Sequence, residues 1–420
     1  MFLGYDINEK LLKLATIAEE ELKDVYKGFE ETALVNSAKV LKAFQDNRVS
    51  ITDFNEVTGY GYYDGGRDKL EQIYSQVFGA EDSLVRVQIM SGTHALALTL
   101  FGLLKHGDVM ISVSGEPYDS LRTIIGTEGD SRNSLIKHGI KYEQIELVND
   151  DFDYNIIINR LKKSYVKLIE IQRSRGYSQR KSLTVAQIEK LTKEVKKVSP
   201  NTIVMVDNCY GDFVEKLEPT NVGVDISVGS LMKNLGGGIA KTGGYILGKK
   251  EYVLDVAERY SAPCIGKDLG ANLNQNLSLY RGLYLAPSVV CNSLKTMAFA
   301  SFILQELGYS VSPKYNEYRT DIIQTIDLND PQKLVDFCKG IQFGSPIDSF
   351  VTPEPAPMPG YPNDEVMAGG SFISGSTIEL SCDGPMVAPY TAYMQGGLTY
   401  EYGKLGILYA LNNVLKNKWF

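Results

Sequence analysis

The sequence predicts an α/β fold, a mainly parallel central sheet with helices on its faces followed by a smaller C-terminal α+β domain. Three observations carry this. Apolar residues make up 44% and charged residues 22% of the 420-residue chain, the balance of a folded globular protein rather than a disordered or rod-like one. Between Val85 and Val228, short apolar β-prone runs alternate with helical patterns, as expected for strands buried on both faces. Around Gly282 to Pro287 that alternation stops, and a long helix and a mixed helix and strand pattern take over.

Charge narrows the function. Forty-three Lys and Arg against fifty-one Asp and Glu leave a net charge of -8, the wrong sign for nonspecific attraction to nucleic acid or anionic lipid. The longest apolar run, Ala95 to Leu104 with Thr99 inside it, is about half the roughly 20 residues of a membrane span. Asp6, Glu9 and Lys10 near the start do not fit a secretory signal, so a cytoplasmic location is expected. Cys209, Cys264, Cys291, Cys338 and Cys382 show no C-x-x-C spacing, and His94, His106 and His138 are the only histidines. Reduced thiols and no metal site are expected.

The elements follow in order. From Asn8 to about Gln45 apolar residues recur at three- and four-residue steps, including Leu11, Leu12, Leu14 and Ile17, predicting helix. This makes residues 1–58 a helical N-terminal arm. A glycine- and tyrosine-rich loop, Gly59 to Gly66, feeds a helix over Asp68 to Phe78 that stops at Gly79. Strand-like runs at Val85 to Met90, Asp108 to Val113, Val166 to Ile171, Ile203 to Val206 and Asp225 to Val228 build the domain over residues 59–287. A helix from Ser288 to Leu307 opens the C-terminal domain, residues 288–420. Within it, Thr352 to Pro362 carries five prolines, and lacking their N–H groups it reads as a surface loop.

The most informative stretch is IVMVDNCYGDF followed by DISVGSLMKNLGGG. A buried strand ending at Asp207 sets a carboxylate at the edge of the sheet where α/β ligands bind. A second strand leads through Ser230 to Lys233 and a triple glycine. A lysine stripped of hydration has a lowered pKa and forms Schiff bases with carbonyls. Its partner would be pyridoxal 5′-phosphate, whose ring nitrogen a carboxylate such as Asp207 keeps protonated. Taken singly, Asp207 reads as a loop cap and Lys233 as a solvated lysine; it is together with the motifs that follow that they point to the cofactor.

MSGTHALALTL, Met90 to Leu100, is a strand end, a small-residue turn and a helix start. Free N–H groups of Gly92, Thr93 and His94 would face an anion there, with Ser91 or Thr93 as a plain N-cap on the simpler reading. Tyr118, in GEPYDSL after another strand, offers a ring face for stacking on a pyridine, or is simply half-buried. NLGGGIAKTG does not fit the nucleotide-binding loop, since Leu235 and Ala240 occupy both required glycine positions.

The order of these motifs resembles the cysteine and methionine metabolism branch of pyridoxal-phosphate enzymes. Most similar are bacterial proteins of the methionine gamma-lyase or aluminium-resistance type. The resemblance runs from GYGYYDGGRDKLEQIYSQVFGAE through VQIMSGTHA, GEPYDSL, IQRSRGYSQRKSL, VDNCYG and SLMKNLGGG to GGSFISGSTIELSCDGP and YMQGGLTYE. It implies the aspartate-aminotransferase-like fold (fold type I) and a carbon–sulfur lyase performing β- or γ-elimination on a cystathionine-, cysteine- or methionine-like amino acid. Aldol cleavage, transamination, racemisation or a non-catalytic stress-resistance role are the alternatives.

By the same resemblance Lys233 is the Schiff-base lysine and the base for the α-proton, Asp207 pairs with the ring nitrogen, and Tyr118 stacks on the ring. Ser91, Gly92, Thr93 and Ser230 hold the phosphate. Tyr60 or Tyr62 with Arg67 completes the phosphate site of a neighbouring subunit, which implies at least a homodimer and, by the family norm, a homotetramer. Two departures stand out. Met232 replaces the hydroxylated residue that precedes the lysine in better-known lyases, and the last arginine is Arg319, leaving no late C-terminal clamp for the substrate carboxylate. Arg173 and Arg175 are the alternative clamps, against a solvated basic loop as their plainer reading.

Overall fold

Successive residues of the central strands feed two different cores. Ile203 and Met205 join Ala95 and Leu98 of helix Gly92–Leu103, whereas Val204 and Val206 join Ile188, Leu191 and Val195 of helix Val185–Val198. Both faces are covered, so these strands carry no polar alternation. The structure, a computed structural model, describes residues 7–60, 64–358 and 361–416. They fall into two units, residues 36–284 and residues 7–35 with 285–416.

The first unit contains a seven-stranded sheet of β1 (Asp82–Arg86), β2 (Val109–Ser112), β3 (Lys141–Gln144), β4 (Leu168–Gln172), β5 (Ile203–Asp207), β6 (Ile226–Ser230) and β7 (Gly244–Gly248), in the order β1-β7-β6-β5-β4-β2-β3. From β3 across to β6 neighbouring strands are parallel. Strand β7 runs antiparallel to both β6 and β1. It is not among the strand runs read from the sequence because only Tyr245, Ile246 and Leu247 stand between its two glycines, a β-prone run too short to signal a strand. The expected strand Val85 to Met90 starts earlier and ends at Arg86; the residues after it turn toward the helix at Gly92.

In the second unit β8 (Ser310–Ser312), β9 (Ile323–Asp327), β10 (Ala356–Pro357), β11 (Asp364–Ala368), β12 (Ser381–Pro385) and β13 (Thr391–Gln395) form an antiparallel sheet, ordered β8-β9-β13-β12-β11-β10. Leu11, Ala15 and Ala18 of helix Glu9–Glu21 pack in a core with Phe299, Ile303, Phe337 and Leu411.

Two proline readings change. The helix expected from Ser288 begins at Asn276 and continues to Glu306 with Pro287 inside it, so this proline does not mark the start. Its most apolar window is long enough to cross a membrane but 83% buried within the protein, the mark of a core helix. In the proline-rich stretch, Ala356 and Pro357 pair with Glu365 and Asp364. A short ladder survives because β10 is an edge strand, where proline is tolerated. Pro359 lies outside the described residues.

Candidate active site

Parallel pairing brings several strand ends together. Gln172 and Asp207 are register partners at the C-terminal ends of β4 and β5, and Ser230 closes β6. Asp207 is buried, and its Oδ1 accepts the N–H of Cys209 at 3.0 Å, tying the carboxylate to the turn that follows. The Lys233 ammonium lies over the ring of Tyr210 in that turn, 3.6 Å from its centroid. Burial lowers the proton affinity of this amine, yet Cys209, Tyr210 and Asp207 raise it more, leaving the Lys233 pKa above the ordinary lysine value. This corrects the lowered pKa expected from burial alone: desolvation is present but outweighed.

Helix Gly92–Leu103 points its start at the same place. A Cβ added to Gly92 would sit 3.1 Å from Cys209 Sγ and 3.4 Å from Ser230 Cβ, so glycine there keeps open a cradle between the helix start and the ends of β5 and β6. Ser91 Oγ accepts the N–H of His94 at 3.1 Å. That makes Ser91 the helix cap, and it removes His94 from the expected set of free N–H donors. The Thr93 and Ser230 hydroxyls flank the cradle, the former 3.0 Å from Ser120 Oγ, the latter accepting the Met232 N–H at 3.1 Å.

Tyr118 is brought to this edge by β4. Its N–H donates to Gln172 Oε1 at 2.7 Å, and the Gln172 backbone N–H in turn donates to Ser114 Oγ at 2.9 Å. A Cβ on Gly176 would lie 3.3 Å from Tyr118 Cδ2, so this glycine lets the loop close against the ring. The set fits a phosphorylated aromatic aldehyde: an amine for the aldehyde, a carboxylate for a ring nitrogen, a ring face for stacking, and a glycine-lined helix start with hydroxyls for the phosphate.

Arg173 does not fit its expected role. Its side chain is fully buried, with Nη1 donating to Asn208 Oδ1 at 2.6 Å and to the Gly211 carbonyl at 3.0 Å, and Nη2 to Glu215 Oε1 at 2.8 Å. A guanidinium committed in this way holds the turn after β5 and is not presented to a substrate. Arg175 is also buried, and its N–H donates to Ser182 Oγ at 3.0 Å. Arg67 is buried too; its Nε donates to Asp68 Oδ1 at 3.0 Å, and its Nη groups reach the carbonyls of Gly59, Asp268 and Gly270 at 3.4–3.5 Å. Tyr60 is largely exposed, and Tyr62 lies outside the described residues.

Several residues of the site escaped sequence reasoning. Cys209 and Tyr210 sit inside the VDNCYG stretch after the strand-ending Asp207, but that motif assigns neither of them a role. Glu170, on β4, is fully buried and accepts the Ser112 hydroxyl at 2.7 Å. Burial, with a further contribution from the nearby Asp207 charge, pushes its pKa up to about 7 against the opposing Ser112 bond. Behind the turn, Asp212 accepts from Tyr245 Oη at 2.5 Å and from Asn208 Nδ2 at 2.7 Å. Burial first and the Glu218 charge second hold its carboxyl well above the usual range.

Comparison with known proteins decides the family. The profile of the methionine gamma-lyase family matches residues 11–415. The chain belongs to this methionine gamma-lyase family, whose members are pyridoxal-phosphate-dependent carbon–sulfur lyases acting on amino acids. The uncharacterized protein YnbB of Bacillus subtilis is 45% identical over 420 residues, all of both chains. The crystal structure of a provisionally named cystathionine beta-lyase involved in aluminum resistance, from Clostridium acetobutylicum, is 46% identical with a TM-score of 0.94, covering 97% of this chain and 96% of that one. A carbon-sulfur lyase involved in aluminum resistance from Clostridium novyi is 44% identical with a TM-score of 0.93 over 97% and 96% of the two chains. The family fold is the aspartate-aminotransferase-like fold type I, and it persists at 15% identity in the pyridoxal-5′-phosphate-dependent protein YhfS of Escherichia coli, with a TM-score of 0.62 over 92% and 97% of the chains.

Proposed function

We propose that this methionine gamma-lyase family member holds pyridoxal phosphate on Lys233 and breaks a carbon–sulfur bond by β- or γ-elimination in a cystathionine-, cysteine- or methionine-like amino acid. The observation that carries the reading is the meeting of one amine, one carboxylate and one glycine-lined helix start at Lys233, Asp207 and Gly92. Gly92, Thr93 and Ser230 hold the phosphate, with Ser91 fixing the helix start that presents them. Asp207 pairs with the ring nitrogen and Tyr118 covers the ring. Bound there, the cofactor supplies an electron sink that makes the substrate α-proton acidic. Lys233 Nζ takes that proton. Arg173 is committed to the protein interior; Arg175, buried as well, is kept as the arginine for the substrate carboxylate. Tyr60 or Tyr62, with Arg67, completes the phosphate site of a second subunit in a homodimer or a tetramer of paired dimers working in the cytoplasm.

A second reading keeps the cofactor and changes the reaction to aldol cleavage, transamination or racemisation. It is favoured by the burial of Arg173 and by the lack of any arginine after Arg319, since a different carboxylate clamp turns a different bond toward the ring. The experiment is a visible absorption spectrum of wild type and Lys233→Ala with added pyridoxal phosphate, followed by assays for thiol, ammonia and oxo acid with methionine, cysteine and cystathionine. A visible band in wild type alone, with all three products from one substrate, is expected. No band in either protein overturns the enzyme reading; a band without thiol release leaves the second reading in its place.

A further inference from the structure

Tyr210, inside the VDNCYG stretch, is the residue beside Lys233 to which the sequence reading assigns no role. Its ring lies 3.6 Å from the Lys233 ammonium, centroid to nitrogen, within the distance at which a cation is attracted to an aromatic face. Its backbone takes φ 69°, a left-handed conformation uncommon for a large side chain and typical of positions held under constraint at functional sites. The constraint is visible. Arg173 pins the turn at Asn208 Oδ1 and at the Gly211 carbonyl, the Gly211 N–H closes it onto the Asn208 carbonyl at 2.9 Å, and Asp207 Oδ1 holds the Cys209 N–H. A relaxed turn would carry the ring elsewhere.

We infer that Tyr210 is a positioning residue whose ring face is the seat of the Lys233 ammonium whenever that amine is not joined to the cofactor. The inference rests on the reading that Lys233 carries pyridoxal phosphate. When Lys233 is displaced by substrate and takes the α-proton, one proton is added and the neutral amine becomes a cation. The ring then offers that cation a fixed place beside Asp207, from which the same proton can be returned. Tyr210 itself exchanges no proton and forms no bond.

The test reads Lys233 directly in the cofactor-free full-length protein. Reductive methylation with formaldehyde is followed across pH by mass spectrometry of the peptide bearing Lys233, in wild type, Tyr210→Leu, Tyr210→Met and Tyr210→Phe. Removal of the ring in the Leu and Met variants is expected to move the midpoint of the profile down by roughly one pH unit, while Phe, which keeps the face, stays near wild type. Two replacements guard against one failing to fold. A parallel rise in rate at every pH with an unmoved midpoint reports only better access to the amine and overturns the inference, as does a Phe variant that shifts as far as Leu. Borohydride reduction of wild type with pyridoxal phosphate is read alongside: cofactor fixed elsewhere than Lys233 refutes the functional reading itself, whatever the Tyr210 profiles show.

Discussion

Arg173 Nη1 donates to the carbonyl of Gly211 at 3.0 Å while occupying the space a side chain at Gly211 would need, only 2.5 Å from an added Cβ. The contact explains a glycine and an arginine together. The guanidinium passes under the turn after β5 and also binds Asn208 and Glu215, so the turn bearing Cys209 and Tyr210 rests on a buried charge. Removing one member of a buried ion pair leaves the other uncompensated, at a cost of about 3–5 kcal/mol. Arg173→Met is therefore expected to lower the unfolding free energy by about that amount in urea titrations and to weaken cofactor retention. A variant that folds normally and loses only substrate affinity would return Arg173 to the role of carboxylate clamp.

Much of the sheet and of the chemistry was legible because each depends on local signals. Ile203 to Asp207 reads as a buried strand because both its faces are apolar, and Lys233 stands out against the glycines that follow it. What was illegible depends on distant partners. Arg173 and Arg175 look alike in RSRGYS, and only the fold sends Arg173 to Glu215. Lys233 was expected to lose proton affinity through burial; the opposing effect comes from Cys209, Tyr210 and Asp207, which the turn brings back over it. Strand β7 escapes that reading because its apolar run, Tyr245 to Leu247, is short and bounded by glycines, and Gly244 is needed where a Cβ would strike Ile89 Cγ2 at 2.5 Å.

Gly92 should tolerate alanine in the fold but not in the cradle. The added methyl meets Cys209 Sγ at 3.1 Å and Ser230 Cβ at 3.4 Å, contacts that neighbours relieve by shifting a few tenths of an ångström, with overpacking costs of about 1–3 kcal/mol. Pyridoxal phosphate titrations watched by fluorescence should show binding weakened by about tenfold or more, with a smaller loss of thermal stability. Adding Cys209→Ala removes the nearer clash, so the double variant is expected to bind better than Gly92→Ala alone, a non-additivity that follows from the direct contact.

Cofactor capture should accelerate with pH. Only the neutral Lys233 amine attacks an aldehyde, and its pKa lies above the ordinary lysine value, so the reactive fraction is small at neutrality and grows up to about tenfold per pH unit. Stopped-flow mixing of cofactor-free protein with pyridoxal phosphate between neutral and alkaline pH should show the rate rising throughout. A rate that levels off near pH 7 would mean that the amine is already neutral there, against the balance of charges around it.

Glu170 makes a pH signature of a different sign. Its carboxyl is raised from 4.5 to about 7 in the folded protein, so the folded state binds the proton more tightly than the unfolded chain. The associated stability is fully present below about pH 4.5 and is lost as pH rises through about 7. At about 1.4 kcal/mol per unit the swing is on the order of 3 kcal/mol. Gln in place of Glu170 keeps an acceptor for the Ser112 hydroxyl, which now donates to the carboxyl at 2.7 Å, and cannot ionise. The stability difference between Glu170→Gln and wild type, measured by urea unfolding at pH 5 and pH 8, should therefore favour the variant more at pH 8 by about 2–3 kcal/mol, with all other titrating groups cancelling in the comparison. Equal differences at the two pH values would mean that Glu170 is ionised in the fold, and that the sheet beside Asp207 carries two negative charges instead of one.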